Sequence, residues 1–371
     1  MFYLATLRLR FAGLACASLM ACSGHANSPP TEPPVAPPMA PPPTKLELRT
    51  ERSQAHYAKR EQALAFATEW ANANGMDPQQ VAAAIGGANK LDRVIKLVTP
   101  APKTFKKDWR SYRARFVEPV RLKAGRAFWT ANAQTLQRAQ AIYGVPAWLI
   151  VGVIGVESLY GQHQGDFATL DVLSTLAFDF PKAHPKWEAR QAFFNDELAA
   201  FLKLAAVEDK PIEQWVGSYA GAMGWPQFMP SSWQKFAVDF DRDGHIDLLN
   251  SQADVIGSVA NYFKAFGWQT GMPTHYRVKV DPKSPALAEL LAPDIVPSFS
   301  ASYLHNNGAR LHKDGLAHQD KLALVLLENA KGKPTYVAGT HNFYVVTRYN
   351  WSSYYALAVI DLGHAVENSM K

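Results

Sequence analysis

The stretch Val145-Pro-Ala-Trp-Leu-Ile-Val-Gly-Val-Ile-Gly-Val-Glu157-Ser-Leu-Tyr-Gly161 decides how this chain is read. From Val145 to Val156 it carries no charge, and it then meets a carboxylate. Pro146 suits the first position of a helix, where a missing N–H costs nothing. Gly161 suits a helix stop, because glycine enters the left-handed region freely. At helical spacing Glu157 lies over Val153 and Ile154, on a face built for burial. A carboxylate there loses water, which disfavours its charged form and raises its pKa. A group that keeps its proton near neutrality suits general acid catalysis. The competing reading is a structural carboxylate that caps a helix or pairs with an arginine.

The N-terminus reads as an export signal. Arg8 and Arg10 precede an apolar run from Phe11 to Ala21, too short to span a bilayer as a folded helix. The run ends Leu19-Met20-Ala21-Cys22, which resembles a bacterial lipobox, and this implies acylation of Cys22 after removal of residues 1–21. Ser23 in place of Asp resembles the pattern of outer-membrane retention. Several acyl chains anchor stably where one is marginal. The expectation is a lipoprotein tethered to the outer membrane and facing the periplasm. Residues 22–45 are dominated by proline, an extended and semi-rigid composition. Cys16 lies inside the signal, so no disulfide is expected in the mature chain, although its compartment would permit one.

The remaining chain of roughly 350 residues is long enough for two or three cores. The net charge of +6 falls to about +4 once Arg8 and Arg10 leave, a mild excess that suits an anionic polymer or membrane surface. No basic stripe of the kind nucleic-acid binders carry is visible, and no nucleic acid is expected. There is no Gly-x-Gly-x-x-Gly, no phosphate loop, no His-Glu-x-x-His, no zinc spacing among the histidines and no internal repeat.

The pattern predicts a mainly α fold of the α+β class. Residues 46–140 read as a helical domain, to which 185–215 is a possible addition. Asp77-Pro78 supplies a cap followed by proline at the first turn. The run Trp109-Arg-Ser-Tyr112-Arg-Ala-Arg-Phe116 interleaves aromatics with arginine, read mainly as helix packing and alternatively as the lining of a sugar groove. Residues 141–270 and 340–371 read as a second helical body. Between them, 271–339 changes texture: His275-Tyr-Arg-Val-Lys-Val280 alternates with period two, and 321–328 and 334–339 also read as strands. Asn306-Asn307-Gly308 and Asp314-Gly315 read as turns.

Two further segments carry chemistry. Residues 218–233, Ser-Tyr-Ala-Gly-Ala-Met-Gly-Trp-Pro-Gln-Phe-Met-Pro-Ser-Ser-Trp, mix small residues with hydrogen-bonding groups and aromatic faces. Sugars want that mixture, since hydroxyls need partners and ring faces stack; a structural loop is the alternative. Residues 239–250 run Asp239-Phe-Asp241-Arg-Asp243-Gly-His245-Ile-Asp-Leu-Leu-Asn250. This fits an EF-hand-like calcium loop, with oxygens at positions one, three and five, glycine at six and the His245 carbonyl at seven. Asn250 stands where a bidentate glutamate is usual, which weakens affinity and leaves calcium or another cation as the expected ion. A solvated acidic turn is the alternative.

Glu157-Ser-x-Tyr-Gly, the 218–232 motif, the acidic loop and Arg348-Tyr-Asn350 together resemble the lytic murein transglycosylase B family, in the same order and over roughly 60–365. The resemblance implies a lysozyme-like helical core flanked by a helical domain and a small β domain. It implies cleavage of the β-1,4 bond between N-acetylmuramic acid and N-acetylglucosamine in the glycan strands of peptidoglycan, without water, leaving 1,6-anhydro ends. Glu157 matches the single acid and base. Ser218, Gln227, Tyr349 and Asn350 fall at substrate-contacting positions, as do Tyr112 and Tyr355. The loop implies a structural calcium ion, with no cofactor in catalysis, and the protein is expected to be a monomer. An ordinary glycosidase needs two carboxylates; Asp166, Asp171 and Asp179 are the nearby candidates for a second and are read as structural. The rival readings are a hydrolytic muramidase and a non-catalytic peptidoglycan-binding lipoprotein. A calcium sensor is disfavoured, since one loop is visible and sensors pair them.

Overall fold

The computed structural model describes residues 56–100, 106–208 and 210–371. The signal 1–21, Cys22 and the tether 22–45 lie outside the described residues.

Most of the chain is helical, as the pattern predicts. The apolar stretch forms the helix Ala147–Ser158, with Pro146 as its N-cap and not its first helical residue. All of Leu149 to Gly155 is buried. A helix apolar on every face is stable only when neighbours surround it, and the main cover here is the C-terminal helix Ser353–Asn368. Glycines set that contact. A β-carbon on Gly152 would lie 2.3 Å from the Val359 carbonyl oxygen, and one on Gly363 would lie 2.1 Å from that of Trp148. The two backbones therefore touch where side chains normally stand. Each fully buried aliphatic side chain in this layer contributes about 1.5–3 kcal/mol.

The N-terminal helices are joined to this body by polar contacts as well as by packing. The Asn89 backbone N–H and side-chain amide both donate to Asp171, at 3.0 and 3.2 Å. The Tyr57 hydroxyl, Arg60 and Lys90 all reach Asp179, at 2.8, 2.6 and 3.3 Å. One continuous hydrophobic cluster runs from Tyr57 through the Ala147–Ser158 helix to Val366, so the boundary expected near residue 140 does not separate two cores. The helix Trp187–Ala205, in the 185–215 segment, packs on Thr169–Phe178 and on Pro230–Phe236.

Two short strands, β1 (Phe167–Ala168) and β2 (Val216–Gly217), pair antiparallel. That pairing brings the start of the 218–233 motif beside the loop that follows Glu157. The insert holds a four-stranded antiparallel sheet of order β4-β3-β6-β5, with β3 His275–Val280, β4 Ala309–Leu311, β5 Ala323–Leu327 and β6 Thr335–Gly339. It encloses its own small core around Leu290, Leu304, Leu311, Leu322 and Leu324. Strand β4 was not expected; three residues are too few to show alternation. Asp314-Gly315 is not a turn but part of the short helix Lys313–Leu316, with Gly315 buried against Tyr276.

Candidate active site

Glu157 sits one residue before the end of its helix. Its Oε1 accepts a hydrogen bond of 2.5 Å from the hydroxyl of Tyr355, which stands in the first turn of Ser353–Asn368. The Ser352 hydroxyl caps that helix, accepting from the Tyr355 backbone N–H. The glutamate keeps some exposure to solvent, yet its carboxyl is strongly desolvated by the surrounding protein. Burial pushes its carboxyl up to about 7, against the smaller opposite effect of the Tyr355 hydrogen bond. Among the described residues no arginine or lysine pairs with it, so the structural ion-pair reading has no partner here.

Five aromatic residues from separate segments build a wall around that carboxyl. Tyr349 lies parallel to Tyr355, with ring centres 6.1 Å apart and planes at 14°. Its hydroxyl donates to the Pro226 carbonyl at 2.6 Å, which ties the Arg348-Tyr-Asn350 turn to the 218–233 loop. Tyr262 packs 4.8 Å from Tyr349 and donates to the Arg348 carbonyl at 2.8 Å. Phe228 touches both rings. Tyr112 approaches from the helix Trp109–Ala114; burial raises its pKa, and the charge of Glu157 raises it further. Burial and then the same charge hold Tyr349 and Tyr355 well above the ordinary phenol range, so both keep their protons at any working pH.

The remaining expected contacts are less alike. Ser218 is partly buried, and its oxygen accepts from the backbone N–H groups of Ala220 and Ala222. That holds the loop and leaves the hydroxyl proton to donate elsewhere. Gln227 adopts a left-handed φ of 51° and donates its amide to the carbonyls of Gln164 and Gly224; its oxygen stays available as an acceptor. Asn350 is partly buried in the turn between two helices, with no intramolecular partner for its amide among the described residues. Asp171 and Asp179 are occupied in joining the N-terminal helices to the body, and Asp166 is exposed ahead of β1. No second carboxylate acts on Glu157 among the described residues. A shallow depression of about 390 Å³ on the insert, lined by Tyr276, Asp314 and His318 among others, shares no residue with this wall.

In the acidic loop the carboxylates of Asp239 and Asp241 come together with that of Asp254, all within 4.8 Å of one another. Asp254 lies beyond the twelve-residue loop and was not anticipated. Its placement in Ser251-x-x-Asp254 makes it look like a capping residue, and its N–H does donate to Ser251. Asp243 stands outside this group, with its carboxylate accepting from the His245 N–H. The Asn250 amide donates to Asp247, and the exposed His245 ring lies 3.6 Å from Glu208. Three hard oxygen donors so close suit a cation such as calcium. Tyr262 is the other residue the motifs did not mark; it sits in an ordinary aromatic-rich helix, where no local pattern singles it out.

The chain has relatives among known proteins. Residues 58–364 match the family described as the transglycosylase SLT domain. The chain is 38% identical over 318 residues to the membrane-bound lytic murein transglycosylase B of Escherichia coli, covering 84% of each. Among solved structures, the Escherichia coli lytic transglycosylase Slt35 in complex with calcium superposes with a TM-score of 0.75 at 35% identity, over 88% of this chain and 99% of that one. SltB3 of Pseudomonas aeruginosa in complex with NAG-anhNAM-pentapeptide gives 0.67 at 30% identity, over 83% and 79%. On these matches this chain belongs to the family of lytic murein transglycosylases of type B, enzymes that act on peptidoglycan.

Proposed function

We propose that Glu157 alone serves as acid and then base in a ring closure that cuts the β-1,4 bond between N-acetylmuramic acid and N-acetylglucosamine. As acid it gives its proton to the bridging oxygen while the C1–O bond breaks. As base it takes the proton of the C6 hydroxyl, whose oxygen closes on C1. No water is consumed and a 1,6-anhydro end is left. The observation that carries this reading is a single carboxyl, raised to about 7 and served by one phenol, with no second carboxylate acting on it among the described residues. A group with that pKa still holds its proton near neutrality, as the first step needs, and the donation leaves it as the base for the second. An intramolecular nucleophile removes the need for a base-activated water. The NAG-anhNAM-pentapeptide held by SltB3 supports the anhydro outcome.

Ser218, Gln227, Asn350, Tyr112, Tyr349 and Tyr355 are assigned to holding and walling the sugars. Asp239, Asp241 and Asp254 are assigned to a structural calcium, supported by the calcium complex of Slt35. The lipobox at Cys22 and the membrane-bound relative support a bacterial lipoprotein on the periplasmic side, retained at the outer membrane.

Mass spectrometry of muropeptides released from purified sacculi tests the reaction. The wild type should release anhydro products, and Glu157→Gln should lose on the order of 100-fold to 10,000-fold in rate, the range a general acid and base supplies. Products heavier by one water would make this a muramidase, and an active Glu157→Gln would remove the assignment of Glu157.

A further inference from the structure

Directly after Glu157 and Ser158 the backbone enters a run that side chains disfavour. Leu159, Tyr160 and Gly161 have φ of 50°, 56° and 83°. Two of these three carry a β-carbon, and such strain persists only where the surroundings enforce it. The surroundings here are specific. The Gly161 N–H donates to the Ser158 hydroxyl at 3.0 Å, and the His163 N–H to the Ser158 carbonyl at 2.9 Å. The Tyr160 ring stacks on Phe128 at 5.3 Å, and Phe128 meets Trp225 at 6.1 Å. Gly161 lies flat against the Trp225 indole, so close that a β-carbon would fall 2.1 Å from the ring.

Trp225 is itself suspended from one stretch of backbone. Its own N–H donates to the Leu248 carbonyl at 3.0 Å, and its indole N–H donates to the Leu249 carbonyl at 2.9 Å. The Gln164 amide reaches the same Leu249 oxygen at 3.3 Å. These two carbonyls belong to the last residues of the acidic loop. Tyr355, the partner of Glu157, stands on a different helix, and its ring stacks on Tyr349, whose hydroxyl donates to the Pro226 carbonyl next to Trp225.

We propose that Trp225 is a positioning residue for Glu157: the indole, hung from Leu248 and Leu249, backs the left-handed turn and keeps the end of the glutamate's helix in register with the Tyr355 hydroxyl. The inference rests on the reading of Glu157 as acid and base. A ring of another shape, or one without the indole N–H, lets the turn relax and draws the carboxyl off that hydroxyl. A misplacement of about 1 Å caused by a change away from the chemistry costs on the order of 100-fold.

The test compares the wild type, Trp225→Phe, Trp225→Ala and Glu157→Gln for kcat, KM and the pH dependence of kcat/KM on solubilised glycan strands, with circular dichroism to count folded enzyme. Trp225→Phe keeps an aromatic ring on the same stem but loses the indole N–H and the fused ring against Gly161, so it decides the matter where Trp225→Ala fails to fold. The expected result is a fall in kcat of about ten-fold or more with KM nearly unchanged, and a pH profile displaced to higher pH. A Trp225→Phe enzyme with wild-type kcat and an unmoved profile overturns the proposal. So does a loss of rate that only tracks the loss of folded protein. An active Glu157→Gln instead overturns the underlying assignment, whereas an inactive Glu157→Gln beside a fully active Trp225→Phe removes the positioning role alone.

Discussion

The hydroxyl of Tyr355 stands 2.5 Å from Oε1 of Glu157 and is the one side chain that donates to it among the described residues. The phenol is buried and its own pKa is raised, so it cannot deliver its proton to the carboxylate at working pH. It acts as a fixed donor that favours the charged form. Burial acts in the opposite sense and prevails, which leaves the carboxyl near 7. The pair balances a dual role: burial supplies an acid, and the hydrogen bond keeps that acid able to ionise.

From this pair follows a shift in the pH optimum on removing the hydroxyl. Tyr355→Phe deletes the interaction that lowers the pKa of Glu157 and leaves the desolvation. The carboxyl should then titrate above 7, and the alkaline limb of the pH–rate profile, where Glu157 loses the proton that the first step needs, should move to higher pH. The rate at neutral pH should nevertheless fall by about ten-fold or more, since the carboxyl loses the hydrogen bond that orients it. A Tyr355→Phe enzyme whose limb stays at the wild-type position would separate the hydroxyl from the titration of Glu157.

The raised carboxyl also makes a statement about folding. Glu157 holds its proton to about 7 in the folded chain against an ordinary 4.5. Its contribution to stability is therefore fully present below about 4.5 and is lost as pH rises through about 7. Glu157→Gln carries no such group. Its Tm relative to wild type should accordingly climb between pH 5 and pH 8, by roughly 2–4 °C for each kcal/mol that the charge costs the wild type. Because the glutamate is partly open to solvent, the gain should be modest. Thermal melts across that range check it, and a difference that is flat or falls with pH contradicts the desolvation of Glu157.

How far these features were legible differs from residue to residue, for physical reasons. The all-apolar helix announces itself, because only a surrounded helix tolerates such a run, and the carboxylate at its end is conspicuous for the same reason. The strand pattern of His275–Val280 is equally plain. Strand β4 was hidden because three residues hold barely one period, and Lys313–Leu316 was hidden because Asp-Gly is a turn signal that a short helix can absorb. The aromatic wall is a tertiary product: Tyr355, Tyr349, Tyr262 and Phe228 come from four segments. Tyr355 meets Glu157 across the crossing of Ala147–Ser158 with Ser353–Asn368, where Gly152 and Gly363 let backbones meet. Asp254 was obscured by its second duty at a helix start.

That second duty makes Asp254 the sharpest test of the cation site. Its carboxylate lies beside those of Asp239 and Asp241 and also accepts from the N–H groups of Phe240 and Asp247, at 2.7 and 2.8 Å. It therefore holds both ends of the loop together and is buried, whereas Asp243 is exposed and faces the His245 N–H. A cation bound only by the folded chain stabilises by about 2.7 kcal/mol at one hundred times its dissociation constant. Calcium should thus raise the Tm of the wild type clearly. Asp254→Asn removes the charge and keeps an oxygen for only one of the two N–H groups, so its calcium-dependent rise should largely vanish, while Asp243→Asn should retain most of its own. Melts with calcium and with chelator check this. Equal rises in wild type and Asp254→Asn would place the ion elsewhere, and a rise lost only in Asp243→Asn would return the site to the linear twelve-residue loop.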